Sequence, residues 1–167
     1  MGASCFIIHN ADTSALTAAP AGAATAATVT VKTMLQIKTG TSKVRVIEWG
    51  YALSAPPASP VQVELIETGT VFATVTTIGS GIRPYNDANG VSQLVAGTSA
   101  TGFTASAEGT VTATRLFDWQ FENGLYYKKQ FPLGREPEIA PSSALRIRAT
   151  PGSAAAVTMS CYVVIEE

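Results

Sequence analysis

From Val29 onward the chain is a succession of short runs rich in Val, Ile, Thr and aromatic residues, each closed by Gly, Pro, Asn or Ser. No other feature restricts the fold as much. β-Branched and aromatic side chains fit a pleated sheet, and the punctuating residues supply its turns. The runs cover residues 29–37, 45–53, 61–67, 71–78, 110–121, 126–131, 144–149 and 157–165. A short helical piece is the alternative for 71–78. Gly40-Thr41-Ser42, Thr68-Gly69-Thr70 and Pro151-Gly152 read as turns, and the three prolines between Ser54 and Pro60 exclude a ladder there. Asn123-Gly124 between alternating segments predicts a two-residue hairpin, because both residues tolerate positive φ. Residues 79–109 are irregular and Gly-rich, with one short strand around Phe103.

About eight strands, almost no helix and no internal repeat predict an all-β, single-domain, jelly-roll-like β-sandwich. A length of 167 residues is that of one domain large enough to bury a core. Residues 29–167 form the expected sandwich. Residues 1–28 are expected to be an extended N-terminal arm: after Cys5-Phe6-Ile7-Ile8 the sequence becomes an Ala/Thr/Gly stretch that includes Ala18-Ala19-Pro20 and has no amphipathic stripe. Such an arm is either a disordered tail or a segment that orders against a neighbouring subunit. Within 45–53, strict alternation places Arg45, Ile47, Trp49 and Tyr51 on one face and Val44, Val46 and Glu48 on the other.

Charge and composition exclude several functions. Net charge is −1 and Lys128-Lys129 is the only basic cluster, which argues against nucleic acid as a partner. No run of about 18 apolar residues offers a membrane span, and the N-terminus lacks the charged region of a secretory signal. Cys5 and Cys161 read as small buried thiols rather than a disulfide. His9 is the sole histidine, and no Gly-x-Ser-x-Gly elbow accompanies it. Of the carboxylates open to an acid–base pairing, Glu64, Glu67, Glu108 and Asp118, the first two stand three apart on a strand and point to opposite faces. Asp87 and Asn89 lack the spacing of a calcium loop. The chain is therefore expected not to be an enzyme and to need no cofactor and no metal.

What remains points to surfaces. The charged fraction is 14%, well under the usual quarter, as suits either an alanine-inflated chain or a subunit partly covered by partners. Glu48-Trp49-Gly50-Tyr51 is either core filler with satisfied polar tips or a platform on which a sugar could stack. Gly134-Arg135-Glu136-Pro137 either pins a neighbour through the guanidinium or forms a local ion pair. Tyr126 to Phe131 is aromatic on both faces, which implies burial on both sides, partly by another subunit. The candidate protein-interface residues are Phe6 and Ile8 in the arm, Arg83, Pro84 and Tyr85 in the long loop, Tyr127 and Phe131 on the late strand, and Arg135 and Glu136.

Several segments carry a resemblance: Lys32-Thr33-Met34-Leu35-Gln36-Ile37, Arg45-Val46-Ile47-Glu48-Trp49-Gly50-Tyr51, the stretch from Ala100 to Thr110, Phe131-Pro132-Leu133-Gly134-Arg135-Glu136-Pro137-Glu138 and Leu145-Arg146-Ile147-Arg148. In their order along residues 32–167 they resemble small head decoration (minor capsid) proteins of actinobacterial tailed phages. The resemblance implies a jelly roll bound to the outer surface of a virion's head shell, often as a homotrimer, with the major capsid protein as partner and no catalytic residue. The alternative class is a carbohydrate- or receptor-binding β-sandwich module of a fibre or cell-surface protein.

Overall fold

The computed structural model describes residues 3–11, 21–78, 82–112 and 114–167. Among them thirteen strands are formed: β1 (Cys5–His9), β2 (Ala23–Ala24), β3 (Lys32–Lys38), β4 (Val44–Leu53), β5 (Val61–Glu67), β6 (Thr74–Thr77), β7 (Arg83–Pro84), β8 (Gly102–Ala107), β9 (Arg115–Glu122), β10 (Tyr126–Gln130), β11 (Glu138–Ile139), β12 (Ala144–Thr150) and β13 (Thr158–Glu166). One antiparallel sheet has the order β10-β4-β13-β1-β7, with β11 pairing β4 and β2 pairing β13. The other has the order β6-β8-β3-β12-β5-β9. Their facing sides meet in one hydrophobic core.

The fold is an all-β sandwich, and its strand order is jelly-roll-like. The chain runs β1, β3, β4, β5, β9, β10, β12, β13, and the pairings β1·β13, β3·β12, β4·β10 and β5·β9 nest one inside another. Joining β13 to β4 and β12 to β5 then wraps this long hairpin into two sheets, the arrangement of two interlocked Greek keys. Eight strands carry the frame, as the sequence predicts, but not the predicted eight. Residues 71–78 contribute only the short edge strand β6, and the missing member is β1.

That strand overturns the reading of residues 1–28 as an arm outside the sandwich. Cys5–His9 lies inside the first sheet, antiparallel to β13 from Cys5↔Glu166 to His9↔Tyr162. Phe6 and Ile8 are buried in the core. The alternation of this short run is regular, and β13 is too apolar on its inner side to stand at a sheet edge. Ala23–Ala24 pairs with β13 as well. The Ala18-Ala19-Pro20 part of the expected arm lies outside the described residues.

Two further expectations give way to the structure. Strict alternation fails in β4, where Val163 opposes Trp49, Val164 opposes Glu48 and Ile165 opposes Val46, which leaves Ile47 as an extra residue in a β-bulge. The bulge changes the parity, so Val44 and Val46 before it, and Trp49, Tyr51 and Leu53 after it, all face the core. Asn123-Gly124 makes no hairpin. Neither residue adopts positive φ, and β9 and β10 belong to different sheets. Each has a longer ladder elsewhere, β9 with β5 and β10 with β4, and the turn serves as a bridge from one sheet to the other.

The outer side of the second sheet is covered by the segments around Val71 and Glu108. Arg146, fully buried, donates to the carbonyl of Glu108 at 2.9 Å and to that of Val71 at 2.5 Å, and pairs with the Glu108 carboxylate at 3.3 Å. Gln36 donates to the Ala73 and Ala100 carbonyls at 3.2 and 2.7 Å and accepts from Ala73 N at 2.8 Å. A buried guanidinium and a buried amide are tolerable because nearly every polar atom is met, and the same bonds fix the loops.

Candidate functional site: an aromatic–carboxylate closure and an apolar edge

At the open side of the sandwich, β4 and β10 of one sheet face β9 of the other. Trp49 and Tyr51 project inward from β4 with Tyr127 beside them on β10, ring centroids 5.5–5.7 Å apart. Asp118 reaches across from β9. Its Oδ2 accepts from Trp49 Nε1 at 3.1 Å and from the Tyr127 hydroxyl at 2.9 Å, and lies 3.3 Å from Lys129 Nζ. Tyr51 donates to Glu122 Oε2 at 3.1 Å. Burial is the main reason the Tyr127 hydroxyl is pushed up to about 12, with the Asp118 bond second; Tyr51 is raised further, by burial and then by Glu122. The phenols thus remain neutral donors across the ordinary pH range. The cluster sews the two sheets together. Trp49 is fully buried, so the sugar-stacking platform allowed by the sequence does not exist on that face, and the core alternative describes it.

The four carboxylates open to acid–base pairing each hold a structural cation or donor. Glu64 pairs with Arg148 at 2.5 Å, Glu67 with Arg115, Glu108 with Arg146, and Asp118 sits in the cluster above. Among the described residues no three His, Cys, Asp or Glu side chains gather as a metal site. Cys5 and Cys161 are free thiols.

The predicted interface residues divide into two groups. Phe6 and Ile8 are buried in the core, so their side chains are withdrawn from any partner, while Phe131 packs against the core and borders the surface. Tyr127 is half-buried in the aromatic closure. Arg83 and Pro84 pair with Ile7 and Phe6 of β1, while Tyr85 projects outward and its N–H donates to the Cys5 carbonyl at 2.7 Å. Arg135 is exposed in a turn closed by its N–H to the Pro132 carbonyl at 2.9 Å. Glu136 and Phe131 line a surface cavity of about 580 Å³ together with Cys5, Arg45 and Glu166. Cys5 therefore stands between the Tyr85 loop and the Glu136 loop, two segments far apart in sequence.

A search against family models, curated proteins and solved structures finds no match.

Sequence reasoning missed an exposed apolar row. The outer side of β9 presents Leu116, Trp119 and Phe121, exposed by 54, 45 and 62%, with the two aromatic rings edge-to-face at 5.1 Å. β9 ends the order of its sheet. Its inner residues are spent on the closure, and a bulge between Leu116 and Asp118 lets Phe117 pack against the core. The sequence pattern points the other way: Phe117, Trp119 and Phe121 alternate with Asp118 and Gln120, which reads as an apolar inner face, and the structure turns Asp118 inward instead. In 126–131, aromatic on both faces, the Tyr127 and Phe131 side proved to be the closure of the chain's own two sheets, and Tyr126 on the other side is exposed.

Proposed function

We propose that this chain is a structural virion protein, a decoration subunit that binds the outside of a phage head shell and bridges major capsid subunits, acting as a homotrimer. The observation that carries the proposal is the row of Leu116, Trp119 and Phe121 on an edge strand of an otherwise well-satisfied sandwich. An exposed apolar edge is an aggregation hazard unless a partner covers it. A stiff two-sheet block with such an edge suits a subunit that clamps neighbours. The segment-by-segment resemblance to head decoration proteins points the same way, and the two surface loops that meet at Cys5 offer a second contact region.

The test is the ratio of this protein to the major capsid protein in purified particles. A large, fixed ratio is expected. Absence from particles, or a trace that varies between preparations, overturns the proposal.

A further inference from the structure

The outer face of the first sheet carries a groove that the closure and the edge do not use. Two cross-strand rows define it. In one, Tyr126 on β10, Ala52 on β4 and Ser160 on β13 are neighbours; in the next, Lys128, Gly50, Tyr162 and His9 follow one another across β10, β4, β13 and β1. The middle of both rows is small. At Gly50 a Cβ would lie 2.8 Å from the Tyr127 carbonyl oxygen and 2.9 Å from Tyr162 Cε1, so only glycine lets the Tyr162 ring settle across the strand. The ring is then pinned: its hydroxyl donates to Glu48 Oε1 at 2.6 Å. Tyr126 stands at the rim, 76% exposed. The space between is about 240 Å³, below the roughly 300–1,000 Å³ of pockets for drug-sized ligands and enough for one small ring.

The rim's charges are already answered. Lys128 Nζ lies 3.1 Å from the same Glu48 oxygen, and burial holds the half-buried His9 imidazole below its usual range, so it is neutral near pH 7. A charged ligand would find no free counter-charge there. A neutral ring with one apolar face and hydroxyls at its edge finds aromatic surface together with a hydroxyl and an imidazole. We infer that this groove binds a neutral pyranoside, its C–H face on the Tyr162 ring and against Tyr126, its hydroxyls toward Ser160 and His9. The site is separate from the apolar edge and stands whether or not the chain coats a shell.

The test is saturation-transfer NMR of the full chain with methyl α-glucoside, methyl β-galactoside and methyl N-acetylglucosaminide, with cyclohexanol as a ring lacking the hydroxyl pattern. At least one glycoside is expected to bind with a dissociation constant on the order of 1 mM, as befits a small ligand in a shallow site. Tyr126→Ala should weaken it by at least about tenfold, and Ala52→Leu, which fills the floor from an exposed position, should abolish it. Both variants are expected to melt like the parent. Binding of no glycoside overturns the inference, as does cyclohexanol competing equally well, or binding that survives both substitutions.

Discussion

Trp49 and Trp119 show how far one residue type can be read without its surroundings. Trp49 is enclosed, and its N–H is spent on Asp118, 69 positions away; Trp119 follows Asp118 directly and faces outward. Trp49→Ala should therefore cost about 3–5 kcal/mol, for the lost packing and for a carboxylate stripped of a donor. Trp119→Ala should change stability by less than about 0.5 kcal/mol. Denaturant unfolding of the two variants checks both figures, and equal effects would contradict the arrangement. The sequence left Glu48-Trp49-Gly50-Tyr51 open between core and platform because the deciding facts are not local. The bulge at Ile47 sets which way Trp49 points, and its hydrogen-bond partner arrives from the other sheet. Gly50 was legible only as a glycine; its use as the seat of Tyr162 depends on the register of β13.

At the scale of elements, the runs from 32 to 67 and from 144 to 166 were read almost to their boundaries, because those strands are buried and their β-branched content is dense. The errors lie where tertiary pairing overrides a local signal. Asn123-Gly124 has the chemistry of a tight turn, yet the strands on either side are claimed by β5 and β4. Cys5–His9 is a five-residue run beside an Ala-rich stretch, which made it look peripheral, while its partner is the most central strand of its sheet. Removing residues 1–11 is accordingly expected to abolish cooperative thermal unfolding, since it uncovers β13 and takes Phe6 and Ile8 from the core. An unchanged melting temperature would restore the arm reading. The point variant Ile8→Ala, expected to cost about 2–5 kcal/mol, gives the same answer without truncation.

For the molecule as a whole, the fold class was legible and the working surfaces largely were not. Strand periodicity reports burial by the chain itself; it does not tell cover by another subunit from cover by the opposite sheet. For this reason Tyr127 and Phe131 were assigned to an interface, and Leu116, Trp119 and Phe121 were not. If the edge holds copies together, the double substitution Trp119→Ser, Phe121→Ser should shift the sedimentation profile toward monomer while leaving the melting transition in place. A parent that is already monomeric at high concentration, or a double variant that associates unchanged, would remove the edge from the interface.

The position of β13 has a consequence for how the chain is made. Thr158–Glu166 is synthesised after every other strand of the sandwich, yet it fills the gap between β4 and β1, and neither of those can complete its ladder before it arrives. The first sheet therefore cannot close until β13 has left the ribosome. Folding waits for a contact that joins the first and last strands of the sandwich, which makes it slow compared with a fold built from neighbouring strands. A product cut short before β13 would lack the middle of a sheet, exposing apolar surface that proteases and chaperones recognise. Only copies translated through β13 can form the surfaces described above.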